Sequence, residues 1–419
     1  MQYIISGLAA AFMLACFLAY RLGRRPKEIL RMAAHGAREA AAVAVVLLFI
    51  GMVTGIWRAS GTIVEFVILG VSLIRPSLFL LIAFLTACLL SYALGTSFGV
   101  AGTVGVIFMA LARSGGVDPV ITGGVILSGV FFGDRSSPAA STATMVSHLT
   151  GTDLIGNVKR MAVSGILPFV VCLAVYAVLS VKNPIGTVDE HVLSSFRSIF
   201  TVTPWALIPA VFLLILPLMR IPILWCMTAS IISGVLVARF CQGMEWADIF
   251  RTLLLGYSCP EEALRAILDG GGMKSMWGSC AIITLACGTS GIFQQAGMLH
   301  RLQFLIRKST EKISTYFLMI LTSLCASAVF CNQVIAILMC TALFSDVFRA
   351  MGRTKEDLAL DIENICITVP AFVPWSIICA VPLSLLGTDY RSMLFAVYLY
   401  AVPIINWIVR AKNGYAAKE

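Results

Sequence analysis

The chain has 419 residues, 59% of them hydrophobic and 12% charged, with a mean hydropathy of +0.94, against roughly 25% charged residues in ordinary soluble domains. That balance excludes a soluble enzyme and a disordered tail, and it leaves a membrane protein with no soluble domain once the apolar segments are set aside. A formal charge of +9 does not mark a nucleic-acid binder either, because the basic residues stand in short loops beside apolar runs, where they set topology.

Apolar segments of about 17–25 residues, the length that crosses a bilayer, recur from one end to the other. The first, ending at Tyr20, has no basic residue before it and no small-residue cleavage site after it, so it is expected to be a retained spanning helix rather than a secretory signal. Residues 1–39 are read as this helix and a basic loop carrying Arg21, Arg24, Arg25, Lys27, Arg31 and Arg38. A first repeat is expected over 40–181, a two-helix connector with an amphipathic segment from Trp246 over 182–275, and a second repeat with a short tail over 276–419. The 13 cysteines lie mostly inside apolar runs with no CxxC pair, and read as small buried hydrophobes.

The repeats emerge when the sequence is slid against itself by 236 positions, so that Gly51 meets Cys287 and Asp153 meets Asp389. "TGIWRASG" (Thr54 to Gly61) then meets "SGIFQQAG" (Ser290 to Gly297), "SYALGTS" meets "SAVFCNQ", Pro138 meets Pro374, and "LTGTD" meets "LLGTD". Lys and Arg mark the cytoplasmic side, and their bias flips between the two halves: the basic cluster precedes the first repeat, whereas Arg301, Arg307, Lys308 and Lys312 follow the first helix of the second. This predicts an all-α polytopic protein with two inverted-topology repeats, its amino terminus outside and its carboxyl terminus (Arg410, Lys412, Lys418) in the cytoplasm. Each repeat is expected to hold a spanning helix, a short interfacial segment, a helical hairpin turning at Gly95-Thr96-Ser97 or Cys331-Asn332-Gln333, a proline-broken helix and a closing helix.

The polar residues concentrate in those breaks. Pro138 removes a backbone donor and clashes with the preceding turn, so the helix is expected to break at Asp134 to Ser137, with Ser137 capping a half-helix that starts at Pro138. Pro370, Pro374 and Ser376 break the matching helix of the second half. Unwound backbone survives in hydrocarbon only where protein or a watery cavity covers it, and its freed ends suit ions. An intramembrane carboxylate is costly enough to mark function, which makes Asp134 the first cation or proton ligand. Pairing with adjacent Arg135 is the bland alternative. Glu363, with Asn364, lies early in the second broken helix, as a proton carrier or as one more solvated charge after Glu356, Asp357 and Asp361. Thr96, Ser97, Asn332 and Gln333 offer neutral oxygens at the hairpin turns or simply cap helices. Asp134 with Thr96 and Ser97 forms the candidate Na+ set. Gly95, Gly99, Gly102 and Gly105 permit close helix approach. His148 is a relay or an interfacial histidine. "GTSFG" matches GxSxG by chance, since it lies between apolar spans, and no enzyme is expected.

At "GTSFGVAGTVGV" (Gly95 to Val106) and "GVFFGDRSSP" (Gly129 to Pro138) the sequence resembles the NhaC-type sodium/proton antiporter family of the ion transporter superfamily, over about residues 40–410. The resemblance assigns Thr96 and Ser97 to the hairpin-tip motif, Gly133, Asp134, Ser137 and Pro138 to the broken-helix motif, and Glu363, Pro374 and Trp375 to its counterpart in the second half. Where the family pattern has two further acids, this chain has Ser141 and Asn364, a hydroxyl and an amide. The resemblance implies a secondary transporter of the cytoplasmic membrane that exchanges Na+ for protons without a cofactor. It also covers exchangers of small carboxylates or amino acids, which the two missing acids favour, and homodimers, for which nothing in the sequence identifies a contact. A passive channel and a structural subunit are the readings from other classes.

Overall fold

The computed structural model describes residues 2–73, 75–186, 196, 198–219, 221–295 and 314–412. Among them every named element is helical, and the only bridge of strand type is the isolated pair Tyr257–Gly270. Four helices are long and apolar enough to cross a bilayer: Pro76–Leu94, Ser97–Ser114, Leu154–Lys182 and Gln333–Ala350. Two bent pairs raise the number to six, Pro26–Arg38 with Val43–Ala59, and Lys355–Phe372 with Ile377–Leu386. Leu89, Val163, Ile166, Trp225 and Phe240 are exposed, as a hydrocarbon-facing surface requires and a water-facing one avoids.

The first helix, Gln2–Arg21, does not lead into a loop reaching residue 39. A helix of 34 residues, Pro26–Ala59, takes over most of that basic stretch. Its start is written locally: Pro26 opens it with a φ already fixed, and the Glu28 carboxylate accepts from the Arg25 N–H at 3.2 Å. Gly36 sits where this helix crosses Trp277–Gln295, and a Cβ there would lie 2.0 Å from the Cys287 carbonyl oxygen. The connector forms as Ile208–Leu218 and Ile223–Phe240, followed by Trp246–Leu255.

Element bounds in the second half fall 236 residues after those in the first. The first hairpin arm, Phe79–Leu94, corresponds to Thr315–Phe330, and the second arm, Ser97–Ser114, to Gln333–Ala350. Pro119–Ser136 corresponds to Lys355–Phe372, and the half-helix Ser141–Thr150 to Ile377–Leu386. Even the left-handed residues agree: Gly95 (φ 65°) with Cys331 (φ 57°), and Gly151 (φ 66°) with Gly387 (φ 60°). Cys331 is the only described non-glycine residue with positive φ, a conformation that costs an L-residue roughly 1–2 kcal/mol. The correspondence is incomplete in one arm, since Ala101–Gly105 is a π-helical segment with no counterpart in Gln333–Ala350.

Small residues and hydroxyls hold the first broken helix against the first hairpin. The Ser91 hydroxyl donates to the Gly129 carbonyl (2.7 Å) and accepts from the Gly133 N–H (3.0 Å). A Cβ on Gly133 would stand 2.0 Å from the Ser91 carbonyl carbon, so only glycine allows the approach. On the opposite flank the Ser128 hydroxyl shares a hydrogen bond with the Tyr176 hydroxyl (2.5 Å) and accepts from the Tyr398 N–H (3.1 Å). Both contacts bring Pro119–Ser136 against the closing helices Leu154–Lys182 and Val397–Lys412.

Candidate ion-binding site

The first break spans residues 137–140, and its half-helix starts at Ser141, three residues later than Pro138 was expected to start it. Ser137 is buried and does not begin that helix: its hydroxyl donates to the Tyr92 carbonyl (2.6 Å) and accepts from the Ala139 N–H (3.0 Å). That arrangement ties the break to the hairpin's first arm. Thr142 reaches back across the gap to the Asp134 carbonyl at 2.9 Å, satisfying one acceptor that the break would orphan. Gly95, at the hairpin tip, meets the Ala139–Ala140 backbone directly, and a Cβ there would be 2.4 Å from the Ala139 carbonyl carbon.

The second break is built from the same parts. Lys355–Phe372 and Ile377–Leu386 meet at 60°. Thr368 donates to the Asn364 carbonyl (2.8 Å), Ser376 to the Pro370 carbonyl (2.8 Å), and the Trp375 indole to the Ala328 carbonyl (2.8 Å). The Ile377 N–H donates to the Cys331 carbonyl at 3.0 Å, joining break to hairpin tip.

Between the two breaks the halves exchange contacts. Gln333, the first residue of the second hairpin's return arm, donates to the Ile367 carbonyl (3.2 Å) and is also a hydrogen-bond neighbour of the Asp134 carboxyl. Asp134 is 6% exposed and its Oδ2 has no hydrogen-bond partner among the described residues. Glu363 is fully buried, and neither carboxyl oxygen has such a partner. It feels the charges of both Asp134 and Arg135. The reading of Glu363 as one more solvated charge is therefore wrong. Asp361, from the same run, is also fully buried, in an ion pair with Arg410. Arg410 is thus a structural partner as well as a cationic residue near the carboxyl end.

Nor does Arg135 pair with Asp134. It is fully buried, and among the described residues its hydrogen bonds end on neutral acceptors: the Asn364 side-chain oxygen (from Nε at 3.1 Å and Nη2 at 2.6 Å), Ser164 (2.7 Å), Tyr398 (3.0 Å), Ser136 (3.1 Å) and the Met161 carbonyl (3.2 Å). Neighbouring residues on a helix do not face each other, which sends the guanidinium to the closing helices and the carboxyl to the hairpin tip.

The expected site residues therefore separate. Asp134, Gln333, Glu363 and Asn364 come together around Arg135. Thr96 and Asn332 cap their helices, accepting from the N–H groups of Gly99 (3.3 Å) and Val334 (2.9 Å). Ser97 is buried at the first hairpin tip, Ser137 and Ser376 brace the breaks, and Ser141 is exposed. His148 is exposed near the end of its half-helix, while Arg301, Arg307, Lys308, Lys312 and Lys418 lie outside the described residues. Sequence reasoning missed Arg135 as the hub, with Tyr398 and Ser164 as its supports.

Chemically, the cluster holds two buried carboxyls, three of whose oxygens lack a donor among the described residues, beside one permanent cation. An uncompensated ion there costs several kcal/mol, so a carboxyl must hold a proton, hold a metal cation or lean on Arg135.

Comparison with known proteins identifies the family of the chain. The Na+/H+ antiporter family profile matches residues 129–409, which include both breaks. The chain belongs to the Na+/H+ antiporter family. It is 27% identical to the Na+/H+ antiporter NhaC of Alkalihalophilus pseudofirmus over 86% of this chain and 80% of that one. It is 26% identical to the malate-2H+/Na+-lactate antiporter of Bacillus subtilis, over 97% and 88%, and 25% identical to the arginine/ornithine antiporter ArcD of Halobacterium salinarum, over 83% and 74%. Membership in this antiporter family, with the apolar helices, makes the chain a multi-pass membrane transporter that exchanges Na+ for protons, and not an enzyme.

Proposed function

We propose that Asp134 and Glu363 are the exchange site of this antiporter, and that Na+ and protons compete there for the same buried oxygens. The observation that carries the reading is three carboxyl oxygens, drawn from both halves, that have no hydrogen-bond donor among the described residues, with Glu363 feeling the charge of Arg135. Na+ enters by displacing a proton, and the alternately loaded forms cross in opposite directions as the halves move. Arg135 offsets part of the carboxylate charge when neither ligand is bound.

Helix rise supports placing this cluster near mid-depth and inverting one half against the other. At ~1.5 Å per residue, Asp134 lies about 22 Å from the start of its helix at Pro119, and Glu363 about 12 Å from the start at Lys355. Helices entering from opposite faces of a hydrocarbon core ~30 Å thick bring those two depths together; helices entering from one face would leave them about 10 Å apart. The positive-inside bias then puts the amino terminus outside and the carboxyl terminus in the cytoplasm. The test is proton movement in proteoliposomes driven by an imposed Na+ gradient. Na+-dependent alkalinisation or acidification on reversing the gradient is expected, and no coupling at any pH overturns the reading.

A second reading adds a small organic acid to the cycle. Two observations favour it: the relative over 97% of this chain is named for malate and lactate, and Asn364 engages Arg135 without neutralising it. Labelled lactate and malate, offered under Na+ and pH gradients, distinguish the two.

A further inference from the structure

Away from the exchange cluster, a cavity of about 690 Å³ opens between Arg58, Arg113 and the end of the half-helix Ile377–Leu386. We infer that this cavity is a binding site for a small carboxylate anion, held by the Arg58 and Arg113 guanidiniums. The inference rests on the carboxylate-coupled reading above, and gives that substrate its point of contact.

Both guanidiniums line the cavity and sense each other's charge. Among the described residues each has only part of its donor set engaged. Arg58 donates from Nη1 to the Thr54 carbonyl (2.7 Å), and its buried Nε has no partner among the described residues. Arg113 donates from Nη2 to the carbonyls of Leu386 (3.1 Å) and Gly387 (2.8 Å). Those bonds fix its position without neutralising it.

The acids nearby are committed elsewhere. Asp389, which lines the same cavity, is paired with Arg391 at 2.7 Å, and that bond holds its carboxyl below the usual carboxylate range. Asp118, also on the wall, accepts from the Val120 N–H (2.8 Å) and interacts with the charge of Arg391, a third cation lining the cavity. Asp269, which attracts Arg58 from behind the wall, accepts from the Cys259 N–H (2.6 Å). Two like charges kept on one wall repel, and a planar carboxylate matches the fork of donors that a guanidinium presents. On the same wall Ser384 donates to the Ala380 carbonyl (2.7 Å) and shares a hydrogen bond with Ser279 (2.5 Å), so the two guanidiniums are left as the donors for a ligand.

The duplication supplies an independent observation. A second cavity, of about 550 Å³, is lined by residues 236 positions removed from lining residues of the first: Arg349 for Arg113, Lys355 for Pro119, and Gly151 for Gly387. Each cavity joins the hairpin of one half to the half-helix end of the other, and each carries an arginine at the same place. Two related basic mouths suit the entry and exit of an anion.

The test uses the full-length protein in nanodiscs and labelled acetate, lactate, succinate and malate as probes. Saturable binding of at least one is expected. Arg58→Gln should raise its half-saturating concentration about tenfold or more, the scale of a lost hydrogen bond to a charged group, and Arg58→Lys should recover part of that loss. In the wild-type protein, the bound acid should slow phenylglyoxal modification of Arg58, followed by mass spectrometry, so the inference stays testable if a variant misfolds. It is overturned if none of the acids binds saturably, if Arg58→Gln binds with wild-type affinity, or if only sulfate or phosphate protects the arginine. Wild-type protein that binds a carboxylate but shows no Na+-driven proton movement counts against the exchange reading alone.

Discussion

Replacing Asp134 by asparagine separates the exchange chemistry from the fold. Asparagine has nearly the same shape, keeps an oxygen for Gln333, and places a donor where Asp134 Oδ2 now has no partner among the described residues. A charged carboxylate at mid-bilayer costs about 2.5–3.5 kcal/mol on insertion scales, so the neutral variant should fold at least as well as the wild type. What it cannot do is trade a proton for Na+.

Thermal unfolding in detergent, with and without Na+, reads both consequences. At a Na+ concentration 100-fold above its dissociation constant, a site present only in the folded protein adds about 2.7 kcal/mol. The wild type should show that gain as a raised midpoint. Asp134→Asn should start from an equal or higher midpoint, gain nothing from Na+, and give proton movement in vesicles indistinguishable from empty liposomes. Na+-dependent stabilisation or Na+-coupled proton movement that survives in a well-folded Asp134→Asn protein would refute the assignment.

Because proton and Na+ contend for one site, half-saturating Na+ should rise about tenfold for each unit drop in pH over the range where the site titrates, and binding should release protons in the same proportion; isothermal titration in two buffers measures both. Arg410→Met leaves the fully buried Asp361 carboxylate without its ion-pair partner and should cost about 3–5 kcal/mol, whereas Asp361→Asn together with Arg410→Met should recover most of it; unfolding midpoints of the four proteins test the cycle. Gly95→Ala should abolish transport, since its Cβ would lie 2.4 Å from the Ala139 carbonyl carbon. Cys331→Gly, at the equivalent left-handed residue, should preserve transport and relieve roughly 1 kcal/mol of backbone strain.

The sequence made the scaffold readable because its punctuation is local. Gly95 and the proline of each break announce turns by their own stereochemistry, and the matching offset of "LTGTD" and "LLGTD" carries the same grammar into the second half. The site was only partly readable because its partners are remote. Asp134 and Arg135 look like a pair on paper, but one residue along a helix is about 100° of rotation, and only tertiary contact reveals that the guanidinium reaches Asn364 and Tyr398. Asp361 and Glu363 sit in one acidic run, yet the partner of Asp361 is 49 residues away. Ser137 carries the residue type of a helix cap, and its hydroxyl instead serves the Tyr92 carbonyl, a competition that no spacing rule anticipates.

The correspondence of elements between the halves is not matched by a correspondence of chemistry. The position 236 residues after Asp134 is Pro370, and the one 236 before Glu363 is Leu127; the first half gives an acid and an arginine, the second an acid and two amides. An exchanger needs equivalent mouths, because both forms of the carrier must open, but it needs only one site, because two identical ones would add a second titrating cluster to each cycle. The paired cavities around Arg113 and Arg349 retain the first property. At the breaks each half lacks an acid where the other has one, so the exchange site proposed above draws Asp134 from one half and Glu363 from the other, with Arg135 as the cation whose charge Glu363 feels.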